Sequence, residues 1–212
     1  APLVVRRDRL GRVRTVAGAD ISLRDDMGYA AVIVYSFPEL REIERASAVG
    51  AIKFPYVPGL LSFREVPLLL KAFAKLKTRP DLILVDGQGI AHPRRAGLAC
   101  FLGLALDVPT IGCAKSLLIG EYEMPAASRG STAPLLDGRE RIGTVLRTRD
   151  EVSPLFISIG HRVSLRTAVK LALACGDGYR LPKPQRESDL WTKQLRVTVP
   201  RASASGLTEK RV

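Results

Sequence analysis

A continuous apolar run from Leu82 to Val85 is followed directly by Asp86 and Gly87. Because all its side chains are apolar, this run predicts a central strand that is covered on both faces. Apolar residues at helical spacing occur before it, between Val66 and Leu76, and after it, between Arg94 and Leu106. The chain is therefore predicted to be an α/β protein, with a mixed central sheet and flanking helices.

The remaining pattern adds strands on both sides of this unit. Three short strands joined by tight turns are predicted before it, as an antiparallel meander over Val16–Leu23, Tyr29–Phe37 and Arg41–Val49. The first helix is expected to begin close to Glu65, since Pro67 is tolerated best in a first turn. Later strands are predicted at Pro109–Ala114, Gly143–Arg147 and Leu155–Ile159, and a helix at Ser164–Cys175. The segments from Gly120 to Arg141 and beyond Tyr179 are interpreted as irregular, being rich in proline and polar residues.

The length and composition indicate one domain. The chain has 212 residues, of which 46% are apolar, and this is enough for one substantial core. We expect a single domain over residues 1–200 and a disordered tail over 201–212. Cys100, Cys113 and Cys175 have no close-pair spacing, so they are interpreted as buried thiols rather than as disulfides or zinc ligands.

The charge points to a polyanionic partner. Lys and Arg outnumber Asp and Glu by 33 to 21, which gives a formal net charge of +12. A nucleic acid fits this excess, and an acidic membrane surface is the competing interpretation. No apolar run reaches the roughly 18 residues of a membrane span, and no leader pattern opens the chain. A soluble, cytoplasmic protein without a membrane partner is therefore expected.

Three acids carry the first indication of chemistry, because each lies where a carboxylate needs an explanation. Asp20 interrupts an apolar strand, Glu65 opens a helix and Asp86 ends the central strand. Taken singly, Asp20 could face solvent on an edge strand, Glu65 could complete a capping box with Ser62, and Asp86 could begin a turn. If the two strands are neighbours, however, and the helix that opens at Glu65 packs over their junction, the three carboxylates converge. Oxygen ligands of this kind hold Mg²⁺ or Mn²⁺, which support phosphodiester hydrolysis.

At these residues the chain resembles the endonuclease V family. The resemblance extends from about Val16 to Asp189, and it is strongest in the blocks PYVPGLLSFRE, PDLILVDGQGIAHPRR, DVPTIGCAKS, PLFISIGHRVS and GYRLPKPQR. It implies an RNase H-like fold and a DNA-repair endonuclease that depends on Mg²⁺, with Mn²⁺ expected to substitute. The implied cut lies at the second phosphodiester 3′ of deaminated adenine, in DNA or RNA. By position, the metal ligands are Asp20, Glu65 and Asp86, and His161 is a further catalytic residue.

The resemblance also implies residues that contact the nucleic acid. Tyr56, held between two prolines, is expected to act as a wedge that fills the gap left by an extruded base, although an isolated Tyr is more often a core residue. The expected base pocket contains Gly59, Leu61 and Gly87, and glycines allow the backbone to approach the base edge. Lys115 is a candidate phosphate ligand or an ordinary strand-end lysine. His92 is a candidate phosphate or water contact, or a structural histidine.

Two positions depart from the family pattern. Gln88 stands where family members commonly have His, and Gln has no titration near neutral pH. Only fifteen residues precede Val16, so the helix that usually precedes the first strand is expected to be missing or reduced. Two other functions stay open: a structure-selective nuclease resembling Holliday-junction resolvases, which would need a stable dimer, and a non-catalytic nucleic-acid-binding module. For the endonuclease we expect a monomer.

Overall fold

The computed structural model describes residues 1–55, 57 and 60–199. Within these residues it contains eight strands and four helices. The strands are β1 (Thr15–Arg24), β2 (Met27–Ser36), β3 (Glu42–Ala51), β4 (Leu82–Val85), β5 (Thr110–Ala114), β6 (Thr132–Asp137), β7 (Glu140–Leu146) and β8 (Leu155–His161). The helices are α1 (Leu61–Phe73), α2 (Leu98–Leu106), α3 (Leu165–Ala174) and α4 (Lys183–Thr198). The predicted tail over 201–212, Tyr56 and Gly59 lie outside the described residues.

All strands belong to one mixed sheet in the order β3-β2-β1-β4-β5-β8-β7-β6. The meander of β1, β2 and β3 is antiparallel, as predicted, and β1 pairs in parallel with β4, which pairs in parallel with β5. β5, β8, β7 and β6 continue the sheet in antiparallel pairs. The α/β class with a mixed central sheet and flanking helices is confirmed, and the carboxyl ends of β1, β4 and β5 lie at one edge.

Helices cover both faces of the sheet. On one face, Leu69 of α1 and Leu102 of α2 pack with Ile83 and Val85 of β4. On the other face, Leu84 of β4 belongs to a second core with residues of α3. α4 also covers this second face, and it lies so close to β1 that a Cβ at Gly18 would stand 1.8 Å from the Pro184 carbonyl oxygen. Burial of β4 on both faces agrees with its uninterrupted apolar sequence.

Several predicted boundaries are wrong. α1 begins at Leu61 instead of near Glu65, which leaves Pro67 inside the helix on an exposed position. Packing of Phe63 against Phe101, at 5.1 Å between ring centroids, stabilises this earlier first turn. α2 begins at Leu98 rather than at Arg94, since Arg95 adopts a left-handed conformation with φ of 52°.

Two elements were missed. β6 lies in the segment that was interpreted as irregular, and it pairs with β7 at the edge of the sheet. α4 lies beyond Tyr179, where prolines were expected to break the chain. Pro182 is instead the N-cap of α4 and Pro184 lies in its first turn, where proline costs no helical hydrogen bond.

The structure also describes the amino-terminal residues and the three cysteines. Residues 1–14 form no helix before β1. Cys100, Cys113 and Cys175 are buried free thiols, as predicted. Among the described residues, no helix is long and apolar enough to cross a membrane.

Candidate metal and catalytic site

The parallel pairing of β1 with β4 brings two of the predicted acids together. The paired register ends at Ala19 and Val85, and the backbone N–H of Asp86 donates to the carbonyl of Ala19 at 3.1 Å. Asp20 and Asp86 are therefore side by side where β4 ends and β1 continues. This is the carboxyl edge of parallel strands, where ligand sites of α/β proteins commonly form.

A third carboxylate comes from α4, which the sequence interpretation missed. One oxygen from each of Asp20, Asp86 and Asp189 lies within 4.8 Å of the others. Asp189 belongs to a buried polar stripe of α4 that also contains Gln185, Ser188 and Thr192. Their helical spacing is the signal that could have revealed both the helix and the position of Asp189. A search for apolar periodicity passes over such a stripe because its residues are polar.

α4 also fixes the carboxylates of the two strands. The Thr192 hydroxyl donates to Asp20 Oδ2 at 2.7 Å. The Gln185 side-chain amide donates to Asp86 Oδ1 at 3.1 Å and to the carbonyl of Cys113 at 2.7 Å. Since a metal site needs its ligands held in fixed orientations, these outer contacts are the kind that support one.

Glu65 approaches from the opposite face of the sheet, on α1. Burial and the charges of Asp20 and Asp86 raise the pKa of Glu65 to about 8. The capping-box alternative for this residue is wrong, because the N-cap is Leu60 and no side chain caps the helix. Glu65 is instead a buried carboxyl that faces the acids of the sheet.

The collected carboxylates create a local excess of negative charge. Burial, followed by the charge of Asp86, raises the pKa of Asp20 to about 6. Burial and the neighbouring carboxylates thus disfavour the charged forms of Asp20 and Glu65, and a bound cation would oppose both effects. A divalent ion would supply that positive charge, and a ligand set of carboxylate oxygens suits Mg²⁺ or Mn²⁺ better than zinc. The residues present therefore fit the predicted metal.

Lys115 lies inside this acidic group. Its ammonium is 2.5 Å from Asp86 Oδ2 and 2.7 Å from Asp189 Oδ1. Burial opposes the charge of Lys115, but the hydrogen bonds to these two acids raise its pKa overall. Burial likewise opposes the charge of Asp189, and hydrogen bonds from Lys115 and Lys193 lower the pKa of Asp189 overall. Lys115 thus partly neutralises the site that was predicted to bind metal.

A cleft of about 430 Å³ lies beside the acids, between α1, α2 and the carboxyl ends of β4 and β5. Its lining includes Glu65 and Asp86 together with the predicted contact residues Leu61, Gly87, His92 and Lys115. Gly87 contributes no side chain, and a Cβ there would come within 3.4 Å of Leu98 across the cleft. Tyr56 and Gly59 lie outside the described residues, so their predicted roles stay predictions.

The two histidines occupy different places. His92 lines the cleft, and its Nδ1 accepts the backbone N–H of Arg94 at 3.2 Å, while burial and the charge of Arg94 lower its pKa. His161 is paired with Thr110 at the start of β5, whereas Lys115 follows the end of that strand. The Nδ1 of His161 accepts the backbone N–H of Val5 at 3.3 Å. Antiparallel pairing places His161 at the opposite edge of the sheet from the acids, and its catalytic role stays a prediction.

Gln88, at the position that departs from the family pattern, connects the two loops that border the cleft. Its side-chain amide donates to the carbonyl of Ser116 at 3.1 Å. The loop after β4 is thereby tied to the loop after β5, which begins with Lys115. The contact is made by a neutral side chain and therefore does not change with pH.

The chain is similar to known proteins over most of its length. The family model described as Endonuclease V matches residues 2–190. The chain belongs to the endonuclease V family. A relative named Endonuclease V from Roseiflexus sp. (strain RS-1) is 48% identical over 194 residues, which are 92% of this chain and 87% of the relative. The family assignment makes the chain an endonuclease, as predicted from the resemblance.

Solved endonuclease V structures confirm the RNase H-like fold. The endonuclease V of Streptomyces avermitilis superimposes with a TM-score of 0.88 at 42% identity, covering 95% of this chain and 89% of that one. The endonuclease V of Ciona intestinalis, in complex with a 24mer DNA containing an inosine followed by a ribo-adenosine, gives a TM-score of 0.80 at 26% identity. That alignment covers 93% of this chain and 92% of the Ciona chain.

Proposed function

We propose that this endonuclease V cuts a DNA strand at the second phosphodiester 3′ of a deaminated adenine, in a reaction that depends on Mg²⁺. The observation that carries the proposal is the position of the carboxylates of Asp20, Asp86 and Asp189 beside a cleft lined by Glu65 and Gly87. The complex of the Ciona intestinalis relative with inosine-containing DNA supports the substrate class.

Asp20, Glu65 and Asp86 are the proposed metal ligands, and Asp189 joins them. Mg²⁺ bound there would activate water and stabilise the charge that develops on the phosphodiester. Thr192 and Gln185 keep the carboxylates of Asp20 and Asp86 in place, so the site is arranged before the ion binds. Mn²⁺ is expected to substitute, because it prefers the same oxygen ligands.

Lys115 is proposed to bind the phosphate of the substrate strand. Its ammonium lies at the junction of the acids and the cleft, where it now pairs with Asp86 and Asp189. A divalent ion on these carboxylates would repel the ammonium and leave it available to a phosphate oxygen. His92, on the wall of the cleft, is a second candidate for a phosphate contact.

The cleft is proposed to receive the extruded base. Its volume of about 430 Å³ falls in the range of roughly 300–1,000 Å³ that is usual for small-molecule sites. Hypoxanthine presents an N1–H donor and an O6 acceptor, whereas adenine presents an acceptor and a donor at these places. Backbone groups of Gly59, Leu61 and Gly87 are proposed to read this edge, and Tyr56 is proposed as the wedge.

A cleavage assay tests the proposal. Oligonucleotides labelled at the 5′ end and containing inosine, adenine or guanine at one position are incubated with a Mg²⁺ series and with EDTA. We expect cutting only of the inosine strand, only with metal, and with a product whose length maps the second phosphodiester. Matched RNA strands show whether ribose is also accepted. Equal cutting of the adenine strand would overturn the substrate, and cutting of a four-way junction in preference to inosine would favour the resolvase-like alternative.

A further inference from the structure

A second groove lies on the other side of α1 from the cleft. It has a volume of about 510 Å³ and is bordered by the end of β3, the residues that follow it and the first turns of α1. The described lining consists of Ala51, Ile52, Lys53, Phe54, Pro55, Phe63, Arg64, Pro67, Leu68 and Lys71. Nothing in the site described above uses this groove.

Two aromatic side chains form an exposed platform at the groove. The rings of Phe54 and Phe63 stack at 5.7 Å between centroids, with an interplanar angle of 26°. Phe54 is 37% exposed and Phe63 is 45% exposed, although Phe63 also rests on Phe101. Large aromatic residues normally bury such surface, so a stacked and exposed pair indicates a surface that another molecule covers.

The charge of the groove identifies the kind of partner. Its described lining contains Lys53, Arg64 and Lys71 but no carboxylate. Lys53 and Lys71 are exposed and have no ion pair with any described residue. Stacked aromatic rings flanked by cations are the combination that binds single-stranded nucleic acid, with bases on the rings and phosphates on the cations.

The groove and the cleft of the catalytic site share α1 as a common wall. Leu61, Ser62 and Glu65 of this helix face the cleft, while Phe63, Arg64 and Lys71 face the groove. Along this edge of the sheet the strands follow the order β3, β2, β1, β4 and β5. The groove lies at the end of β3, the acids lie at the ends of β1 and β4, and the cleft extends to the end of β5. A strand that enters the cleft and passes the acids therefore reaches the groove next.

We propose that this groove binds the single strand on the 3′ side of the cut. Its binding groups are the aromatic platform of Phe54 and Phe63 together with Lys53 and Lys71. The polarity rests on the proposed function, in which the inosine occupies the cleft and the scissile bond lies 3′ of it at the acids. The platform holds the segment that becomes the 5′ end of the downstream product. It thereby supplies affinity that does not depend on the lesion.

Single-turnover cleavage tests the platform with two inosine-containing strands. One strand ends just past the expected cut, and the other continues well beyond it on the 3′ side. We expect the unmodified protein to reach half-maximal rate at a lower enzyme concentration with the long strand. The advantage of the long strand should be on the order of tenfold in the enzyme concentration at half-maximal rate. Phe54→Leu and Phe63→Leu should each remove this advantage without changing the maximal rate. Phe54→Trp keeps an aromatic face and should retain the advantage.

Salt dependence tests the cations. The double substitution Lys53→Gln with Lys71→Gln should reduce the slope of log affinity against log salt by roughly 1.4 for the long strand, since each phosphate contact contributes about 0.7. Lys170→Gln, at an exposed position of α3, removes a charge elsewhere and should leave the slope nearly unchanged. Binding in EDTA gives the slope without cleavage.

The outcomes separate this inference from the proposed function. If the unmodified protein cuts neither inosine strand, the proposed function fails. If it cuts both and the Phe54→Leu and Phe63→Leu proteins keep the long-strand advantage, the platform is overturned. If these variants instead lose affinity equally for the short and the long strand, the assignment to the 3′ side is overturned. Circular dichroism melting confirms that each variant is folded.

Discussion

α1 and α4 border the acidic site from opposite faces of the sheet, and they hold their carboxylates in different ways. On α1, Glu65 faces Asp20 and Asp86, and its pKa rises to about 8. On α4, Asp189 pairs with Lys115 and Lys193, and its pKa falls although burial opposes this. One helix contributes a carboxyl that still needs a cation, and the other contributes a carboxylate that already has cations.

The sequences of the two helices explain why one was predicted and the other was missed. Leu68, Leu69 and Phe73 give α1 a buried apolar stripe. The buried stripe of α4 consists of Gln185, Ser188, Asp189 and Thr192. A polar stripe is buried where its groups find partners, and here the hydroxyl and amide donors of the stripe bind backbone carbonyls and the acids of the sheet. Asp189 pairs instead with Lys115 and Lys193. α4 thus owes its position to the functional site as well as to the core.

The largest expected effect concerns the acids that both helices face. Asp20→Asn or Asp86→Asn should lower the single-turnover rate on an inosine strand by roughly 10²–10³-fold, because the cation loses a charged ligand. Glu65→Gln should behave alike. Binding of the strand in EDTA should change little, which separates loss of catalysis from loss of the binding surface. A rate near that of the unmodified protein at saturating Mg²⁺ would remove that residue from the site.

A smaller effect should follow from changes on α4 that keep the charge of the site. Thr192→Val removes the hydrogen bond to Asp20, and Gln185→Met removes the one to Asp86. Loss of such an outer contact typically lowers metal affinity or activity by about 10–100-fold. We expect the Mg²⁺ concentration for half-maximal rate to rise in both variants. Ser188→Ala, which alters only bonds to α4 carbonyls, is the matched control. An unchanged Mg²⁺ requirement in both variants would show that α4 only packs against the sheet.

Lys115 and Lys193 both pair with Asp189, and substitutions of the two lysines can be compared. Lys115→Gln should lower the rate on the order of tenfold, through loss of a phosphate contact, while the Mg²⁺ requirement stays the same or falls. Lys193→Gln, which breaks an exposed pair with the same carboxylate, should change the rate little. Equal effects of the two substitutions would indicate that Lys115 acts only as a partner of Asp189.

The smallest effect should appear in the pH dependence of stability without metal. The pKa of Glu65 is raised from an ordinary 4.5 to about 8, so the folded state retains a proton that the unfolded state loses. The free energy of unfolding should therefore fall as the pH rises between these values. Glu65→Gln should flatten this fall. Asp189→Asn should instead remove stability at neutral pH, because the lowered pKa of Asp189 stabilises the fold above its ordinary value of 3.8.

Thermal melting in EDTA across this pH range measures both variants, with a shift of about 2–4 °C for each kcal/mol in a domain of this size. Added Mg²⁺ should reduce the pH dependence of the unmodified protein, because the ion stabilises the ionised carboxylates. If the two variants show the same pH profile, the contrast between α1 and α4 is incorrect.

Local sequence was sufficient for the elements with regular apolar patterns. The run from Leu82 to Val85 is buried on both faces, and the meander before it is antiparallel, because strand periodicity and short turns act within a few residues. The neighbouring positions of Asp20 and Asp86 follow from the pairing of two such strands. The order of the five sequence blocks was enough for the family assignment, which the family model confirms over residues 2–190.

Long-range contacts decided what local patterns could not. Asp189 reaches Asp86 across more than a hundred positions of sequence, and only the packing of α4 on β1 brings them together. His161 lies beside Gly160 in a block that resembles the family, yet antiparallel pairing of β8 with β5 carries it away from the acids. The sequence by itself determined the strands other than β6, and with them the positions of Asp20 and Asp86, because strands with a regular apolar pattern depend on local periodicity. The tertiary structure determined which polar side chains complete the site, because a buried polar group depends on partners that are distant in sequence.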